Sequence, residues 1–297
     1  MIRATTRFEA HRRRQIGIAY RMLGCRADAE DVVQDAWIKW SQVDLNAIEC
    51  DEAFLTTLVT RLCLDKIRQE RVRRQAYVGP WLPEPIADAC ALGSHTASEL
   101  ADDLSYALLL ALERLSALER AAFLLHDVFD VPFSEIAAIL ERNEAAVRQL
   151  ATRARKAVRE ARPARPAPPE KHRDLLTAFM KALGEGNANQ LKALLREDAV
   201  FVSDGGGKKS SALRPVQGAD NMTRLLMGLV RKQAPQDGSI SVVDMQLNGT
   251  PGLLVYINKV LEQTFTISVD DGLIVAVYAV RNPEKLDRLG NLNPGLL

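Results

Sequence analysis

The sequence predicts a multidomain chain, in which two all-helical domains, the second built on a helix-turn-helix, precede an α+β domain. Apolar residues recur at helical spacing through residues 1–74 and again through residues 115–159. After residue 198, short alternating apolar and polar segments are separated by glycine-containing turns, which is typical of strands. With 297 residues, the chain is long enough for several domains that each bury a core.

The first domain, which we place at residues 1–75, is predicted to contain three helices, at residues 8–23, 29–40 and 53–73. The second helix has two distinct faces. Its apolar face consists of Val32, Val33, Ala36, Trp37 and Trp40. Its opposite face consists of Asp31, Gln34, Asp35 and Ile38. An apolar side chain within an acidic face predicts a docking spot for a partner helix, although isolated exposed isoleucines are also common.

The next segment, residues 76–104, is predicted to be an acidic linker. It begins YVGPWLPEP, whose three prolines and one glycine exclude a regular helix, and helix is expected to resume near Ser98. Residues 75–113 contain six acidic and no basic residues, whereas residues 1–74 contain 14 basic and 11 acidic residues, and residues 114–165 ten and seven. The net charge is only +1, but this layout fits two nucleic-acid-facing modules joined by a polyanionic linker.

The second helical domain, placed at residues 105–162, contains the helix-turn-helix. Two short amphipathic helices are separated by the three residues Glu141 to Asn143. Their apolar positions are Phe133, Ile136, Ala137 and Leu140, then Val147, Leu150, Ala151, Ala154 and Val158. The polar face of the second helix carries Ala145, Gln149, Thr152 and Lys156, flanked by Arg148 and Arg153. These side chains suit a DNA major groove, and a solvated basic helix is the simpler alternative.

A proline-rich spacer at residues 163–170 separates this domain from the last one, at residues 171–297. There we expect helices at residues 171–183, 187–195 and 220–232, and strands at residues 199–203, 240–247, 253–260, 264–269 and 273–280. Hairpin turns are predicted at Asn248-Gly249, Pro251-Gly252 and Asp271-Gly272. A curved antiparallel sheet with helices makes a cone-like α+β module.

Several classes of protein are disfavoured by composition. The four cysteines, Cys25, Cys50, Cys63 and Cys90, form no CxxC pair and have no nearby histidine at zinc-ligand spacing, which predicts reduced packing thiols. No apolar run reaches membrane-spanning length, and the basic start lacks an apolar signal core. We therefore expect a cytoplasmic protein that does not enter membranes and has no metal site.

Three motifs together resemble one family. AEDVVQDAWIKW, at residues 29–40, looks like the core-binding helix of bacterial RNA polymerase sigma factors of the extracytoplasmic-function (ECF) class. Residues 55–74 resemble their −10 reading segment, and residues 115–159 their −35 reading domain. The remainder is similar to the subgroup with a C-terminal SnoaL-like (NTF2-like) domain, the sigma factor J type, which is marked by WLPEP, DGGGK and NPDKL motifs. Here these stand at residues 81–85, 204–208 and 282–286, the last reading NPEKL.

The resemblance implies roles for individual residues. Asp31, Gln34, Asp35 and Ile38 would contact the polymerase core. The −10 element would be lined by Arg61, Lys66, Arg68, Arg71, Arg73 and Arg74, because cations along one helix suit a phosphate track. Major-groove contacts at −35 would come from Arg148, Gln149, Thr152, Arg153 and Lys156. The family usually has glycine in the helix-turn-helix turn where this chain has Glu141, so strain of about 1 kcal/mol and a changed turn are expected.

The three subgroup motifs imply an interdomain regulatory site. Its residues would be Trp81, Leu82, Pro83, Glu84, Pro85, Asp204, Gly205, Gly206, Gly207, Lys208, Asn282, Pro283, Glu284, Lys285 and Leu286. The glycines allow close backbone approach, and Trp81 offers an apolar anchor. We expect the DGGGK turn to contact the WLPEP linker or the first domain.

Two features allow more than one interpretation. The acidic linker could occupy the basic channel that later holds RNA, which we favour, or could simply be a solubilising loop. SnoaL-like cones include enzymes that use an aspartate with a histidine or second acid in an apolar pocket. Here His172 is at the edge of a helix, Asp204 is expected in a turn, and DGGGKKS is not a P-loop. No catalytic residues and no cofactor are therefore predicted.

The sequence thus predicts a sigma factor that directs RNA polymerase to promoters and whose fused domain regulates it in cis. The expected partners are the core enzyme and promoter DNA, and the resemblance implies that a separate anti-sigma factor is not needed. One alternative is a fusion whose cone domain is an enzyme or a small-ligand sensor. A simple helix-turn-helix regulator is another, but such a protein needs neither the acidic linker nor the Asp31/Gln34/Asp35 face.

Overall fold

The structure is a computed structural model that describes residues 2–87, 105–161, 167–233 and 239–290. These residues form two compact units. The first unit comprises residues 2–76 and 108–161, and the second comprises residues 77–87, 105–107, 167–233 and 239–290. The proline-containing linker segment therefore packs with the C-terminal domain.

The first unit begins with three helices: α1 (Ile2–Leu23), α2 (Arg26–Trp40) and α3 (Asp51–Gln75). They pack around Trp40, which is fully buried and lies 6.5 Å from Phe8 and 5.7 Å from Phe54 between ring centroids. The indole nitrogen of Trp40 donates a hydrogen bond of 3.0 Å to the carbonyl of Ala4. A large aromatic residue with a satisfied N–H is thus the centre of this core.

The helix-turn-helix lies in the second half of the same unit. It consists of α6 (Phe133–Leu140) and α7 (Glu144–Ala161). Two helices precede it, α4 (Tyr106–Glu113), whose first two residues group with the second unit, and α5 (Ala117–Phe123), which is followed by a π-helical turn at Leu124–Val128. A capping box between Ser116 and Glu119 starts α5. The expected resumption of helix near Ser98 lies outside the described residues.

The predicted three-residue turn between α6 and α7 is present. Glu141 ends α6 in the left-handed conformation, with φ 54° and ψ 48°. A residue with a Cβ adopts this conformation at a cost of about 1 kcal/mol, whereas glycine adopts it freely. The turn therefore keeps a glycine-like backbone in spite of its glutamate, and strain is retained at that position.

The C-terminal domain contains α8 (Pro169–Gly184), α9 (Ala188–Leu194), α10 (Ala219–Gln233) and α11 (Pro283–Gly290). Its strands are β1 (Leu195–Asp204), β2 (Val216–Gln217), β3 (Ile240–Leu247), β4 (Thr250–Ile257), β5 (Val260–Asp270) and β6 (Leu273–Val280). They form one sheet in the order β2-β1-β6-β5-β4-β3. Phe179 of α8 and Met222 of α10 are fully buried in the core that the helices form with one face of the sheet.

Three details differ from the sequence prediction. The sheet is mixed, because β1 pairs with β6 in parallel. Pro251 and Gly252 lie within β4, since the Asn248-Gly249 turn already closes the β3–β4 hairpin, and the next turn is at Asn258-Lys259. The spacer is also shorter than predicted: Pro169 begins α8, where the missing N–H of proline costs no helical hydrogen bond.

Candidate functional site

The predicted −35 reading face lies on α7. Arg148, Gln149, Thr152, Arg153 and Lys156 are all exposed, and the opposite side of α7 is buried through Val147, Ala151, Ala154 and Val158. The first four of these exposed residues line a shallow depression. An exposed polar strip on a helix whose other side is buried has the placement of a recognition helix.

Two arginines on this face are held in place by neighbours. Arg148 donates to Glu144 at 2.6 and 3.0 Å, and its guanidinium lies 4.5 Å above the ring of Phe133. Arg153 donates to Glu119 at 2.8 Å. The hydrogen bond from Arg153, followed by that from Ser116, lowers the pKa of Glu119. Two cations of this face thus already have partners within the protein.

The predicted polymerase-binding residues share one exposed face of α2. Asp31, Gln34, Asp35 and Ile38 are exposed, and Ile38 retains 48% of its accessible surface. Val32, Val33, Ala36 and Trp40 are buried on the other side. The amphipathic pattern therefore assigned these faces correctly, and an apolar side chain does lie within the acidic one.

The predicted −10 residues are on α3, and several already have partners within the first unit. Arg61 contacts the end of α6: it donates to the carbonyls of Ile139 at 3.2 Å and Ala138 at 3.3 Å, and lies 3.1 Å from Glu141. Lys66 is 2.8 Å from Asp28 of α2, a bond that raises its pKa. These two cations thus already contact acceptors within the protein.

The remaining −10 residues show the same pattern where they are described. Arg68 donates to Asp65 at 2.8 Å. Arg74 pairs with Glu113 of α4 and donates to the carbonyl of Leu23 at 2.6 Å. The side chains of Arg71 and Arg73 lie outside the described part of the chain. The sequence predicts that the cations of α3 bind DNA phosphates. In the structure, those that are described also form ion pairs and hydrogen bonds within the protein.

Asp204 is the centre of a buried cluster in the second unit. One of its oxygens accepts from the hydroxyl of Tyr77 at 2.6 Å, and the other accepts from the backbone N–H of Leu82 at 2.9 Å. The latter oxygen is also 2.7 Å from Nζ of Lys285. Asp204 is completely buried and Lys285 nearly so, so each charge depends on these partners.

Lys285 also contacts the linker at three residues. Its Nζ donates to the carbonyl of Leu82 at 2.5 Å, and lies 4.2 Å from the Trp81 ring centroid and 5.2 Å from that of Tyr77. Asn282 donates to the Tyr77 hydroxyl at 2.9 Å. Burial, with Asp204 alongside, raises the pKa of Tyr77, which therefore stays protonated as a donor.

A second set of contacts fixes the end of the same segment. Ile86 exchanges two hydrogen bonds with Asn248, one of 3.0 Å to the side chain and one of 2.8 Å from the backbone N–H. The hydroxyl of Tyr106 donates to the carbonyl of Pro83 at 3.3 Å, and its ring stacks on Tyr278 at 5.5 Å. We call the contacts of residues 77–86 with the C-terminal domain and Tyr106 the linker junction.

The glycine turn fits closely beside the junction. Gly206 has φ +61° and Gly207 has φ +72°, conformations that favour glycine. A Cβ on Gly205 would overlap the carbonyl oxygen of Lys209, and one on Gly206 would overlap the side chain of Asn282. The three glycines thus allow the backbone approach that positions Asp204, and Lys208 pairs with Glu284 of α11.

The structure brings residues of the WLPEP, DGGGK and NPEKL motifs together in the second unit, and it corrects one detail. Asp204 ends β1 and is buried, whereas a turn position was expected. Asp204 pairs with Lys285, whereas Lys208 lies on the exposed side of the turn and pairs with Glu284. Sequence reasoning missed Tyr77, Tyr106 and Asn248, and only the aromatic character of the YVGPW segment hinted at Tyr77.

The acidic linker is only partly described. Asp88, Glu99, Asp102 and Asp103 lie outside the described residues. Glu84 is buried with Arg288 3.7 Å away, and Glu113 pairs with Arg74 and Arg120. These two carboxylates therefore belong to packed surfaces and are not part of a free polyanionic chain.

The core of the C-terminal domain is largely apolar. Phe179 packs edge-on against Phe265, with 6.4 Å between ring centroids, beside buried Phe201 and Leu226. Burial lowers the pKa of His172 to about 4, so that this histidine is neutral near pH 7. Within the described residues no cluster of histidine, cysteine or acidic side chains could hold a metal ion, and no helix could span a membrane.

The described cysteines are free thiols. Cys63 is buried, and burial raises its pKa, whereas Cys25 is partly buried and Cys50 is exposed. Cys90 lies outside the described residues. The prediction of packing thiols therefore fits Cys63 best.

Comparison with known proteins agrees with this organisation. Residues 7–73 match the family model for Sigma-70 region 2, and residues 105–158 match that for Sigma-70 region 4. The ECF RNA polymerase sigma factor SigJ of Mycobacterium tuberculosis is 39% identical over 287 residues, covering 94% of this chain and 91% of the relative. A probable ECF sigma factor, SigI of the same species, is 29% identical over 95% of this chain and 94% of its own.

A solved structure extends the similarity to the whole fold. The crystal structure of Mycobacterium tuberculosis SigJ superposes with a TM-score of 0.75 at 34% identity, covering 95% of this chain and 98% of that one. The chain therefore belongs to the ECF RNA polymerase sigma factors, with region 2 and region 4 domains followed by the α+β domain described above. As a member of that family it directs RNA polymerase to specific promoters and initiates transcription there.

Proposed function

We propose that three surfaces have separate binding roles in transcription initiation and that the C-terminal domain regulates initiation in cis. The acidic face of α2 binds core polymerase, α3 lines the melted −10 element, and α7 reads the −35 duplex. The linker junction, in which Asp204 and Lys285 bind the WLPEP segment, supports regulation by the fused domain.

Core binding is supported by the exposure of Ile38 among acidic side chains. A cationic partner helix with an apolar residue at its centre would complement this face, since charge directs association and apolar burial contributes affinity. The opposite side of α2 is committed to the core through Trp40 and Ala36. Substitutions on the acidic face should therefore change binding without disturbing the fold.

We predict that the double substitution Asp31→Lys with Asp35→Lys abolishes co-purification with core polymerase, because it reverses the charge that faces the partner. A matched control is Glu9→Lys with Glu49→Lys, which makes the same charge change at exposed positions off this face. The control should co-purify normally, and circular dichroism should be unchanged in both. Normal co-purification of the Asp31/Asp35 variant would refute the proposed surface.

Promoter reading at −35 is supported by the exposed polar strip on α7. Arginine and glutamine near the N-terminal end of a recognition helix can each make bidentate contacts to bases, and one such contact discriminates by about 1–3 kcal/mol. Arg148 and Gln149 occupy this position. Their single replacement should therefore change which promoters are used and not merely how tightly DNA binds.

We predict that Arg148→Ala and Gln149→Ala each reduce run-off transcription about tenfold or more from templates that the wild-type holoenzyme selects out of a randomised pool. Arg114→Ala is the control, because it removes an exposed arginine of the same domain that is not on α7. Unchanged template preference in folded Arg148 and Gln149 variants would contradict the assignment.

Regulation in cis is supported by the closed arrangement of the sigma portion. Arg61 of the −10 helix contacts the end of α6, which directly precedes the −35 reading helix α7. Helix α7 is itself about 27 Å long at ~1.5 Å per residue. The −10 and −35 elements are about 25 base pairs apart, or about 85 Å along B-DNA at ~3.4 Å per pair. The two readers must therefore separate before both can engage a promoter.

The linker junction limits this separation. Unrestrained, the chain from Ala76 to Tyr106 could extend over roughly 100 Å at ~3.3 Å per residue. The hydrogen bond from Tyr106 to Pro83 shortens the path between Ala76 and Tyr106. This path now consists of the seven residues that follow Ala76, up to Pro83, and the side chain of Tyr106, which together span roughly 35 Å. A held linker thus favours the closed state, and core polymerase would have to release it.

We predict that Gly205→Ala increases run-off transcription severalfold when the chain is limiting, because an added Cβ displaces the turn that positions Asp204 and so loosens the junction. Gly228→Ala is the control, since a Cβ at this helical position meets nothing within 4 Å and should slightly stabilise the domain. Equal transcription from both folded variants would argue against release of the linker as the regulatory step.

The same observations support three further parts of the proposal. The cone acts as a binding module and not as an enzyme, because Asp204 is committed to the junction and His172 is buried and neutral. A domain that holds the linker in cis makes a separate anti-sigma factor unnecessary. Since its partners are polymerase and promoter DNA, we assign the chain to the cytoplasm.

A further inference from the structure

The −10 helix and the helix-turn-helix meet at Arg61. The Nε–H of Arg61 donates to the carbonyl of Ile139 at 3.2 Å, and a terminal nitrogen donates to the carbonyl of Ala138 at 3.3 Å. The same nitrogen lies 3.1 Å from a carboxylate oxygen of Glu141. One guanidinium therefore binds three acceptors that lie within four residues of the chain, on Ala138, Ile139 and Glu141.

These acceptors have a shared physical character. Ala138 and Ile139 are in the last turn of α6, where carbonyls lack partners within the helix and carry the negative end of its dipole. Glu141 adds a full negative charge at the same helix end. A planar guanidinium with donors on adjacent edges is well matched to such a group of oxygens.

Glu141 is an unusual residue for this position. It has φ 54°, a conformation that disfavours residues with a Cβ, yet its exposed side chain makes a contact with another helix of the unit. A non-glycine residue in this region of backbone space points to a role beyond the turn itself. The role that we assign to Glu141 is to pair with Arg61. Glycine at this position would also form the turn, but it would leave Arg61 without an ionic partner.

We propose that Glu141 and the end of α6 form a latch that sequesters Arg61 from promoter DNA and keeps the sigma portion closed. This inference rests on the proposed role of Arg61 at the −10 element. A guanidinium binds a phosphate through the same forked donors that here bind α6 and Glu141. Arg61 can therefore engage either the latch or DNA, but not both.

The latch has a measurable consequence. If only the open fraction of molecules binds DNA through α3, the apparent dissociation constant equals the intrinsic constant divided by that fraction. The side chains of Arg61 and Glu141 remain 48% and 75% exposed, so the pair is a weak one. Its loss should strengthen binding on the order of twofold to fivefold.

The test measures binding of the full-length chain to a fluorescein-labelled single-stranded 12-mer at low salt by anisotropy. Glu141→Gln removes the charge at nearly constant size, and Glu141→Gly also removes the backbone strain. Glu135→Gln is the charge-matched control, because Glu135 is exposed on the same helix without touching Arg61. Arg61→Ala and the double variant Arg61→Ala with Glu141→Gln complete a double-mutant cycle.

The latch predicts that both Glu141 variants bind about twofold to fivefold more tightly, whereas Glu135→Gln changes affinity less than about 1.5-fold. It also predicts that Glu141→Gln has no effect when Arg61 is already alanine. Circular dichroism should show that every variant is folded, with Glu141→Gly at least as stable to heat as the wild type.

Three results would overturn the latch. If the Glu141 variants bound the 12-mer with the affinity of the wild type, Glu141 would not be restraining Arg61. Equal strengthening by Glu135→Gln, or by Glu141→Gln in the Arg61→Ala background, would assign the effect to overall charge near DNA. Binding that is measurable but does not weaken with Arg61→Ala would reject the −10 role of this residue, and with it the latch, while leaving the other surfaces of the proposed function intact.

Discussion

The buried ion pair between Asp204 and Lys285 is the interaction on which the organisation of the second unit depends. Removing either partner would leave a charge uncompensated in the interior, at a cost of about 3–5 kcal/mol. Both groups are also bonded to Leu82, one through its N–H and the other through its carbonyl. The pair is therefore satisfied only when residues 77–86 of the linker are in place, so the position of this segment is coupled to the stability of the C-terminal domain.

A related principle operates in the sigma portion. The cations that the family would present to DNA are partly occupied by acceptors of the protein itself, as with Arg61 at α6 and Arg74 at Glu113. DNA phosphates offer the same kind of bond, so promoter binding can replace internal contacts at little net loss of hydrogen bonding. A closed free protein and an open initiation complex can thus be built from the same side chains.

Much of this organisation could be predicted from the sequence, because periodicity and turn chemistry are local. The helical spacing located α2 and α7 and the faces they expose, and the three-residue turn at Glu141 was identified correctly. Non-local facts could not be derived in that way. Nothing local reveals that Tyr77 and Leu82 bind Asp204, more than 120 residues away. The parallel pairing of β1 with β6 depends in the same way on the assembled sheet.

Hydrogen exchange of the linker in the free, full-length chain tests the central claim most directly. Pro80, Pro83 and Pro85 carry no N–H, so a peptide spanning residues 77–87 reports on few amides, among them those of Leu82 and Ile86. Both donate within the junction, and we predict slow exchange at both in the wild type and fast exchange at Leu82 in Asp204→Asn. Exchange in the wild type at the rate of an unstructured peptide would show that the linker is not held and would contradict the account.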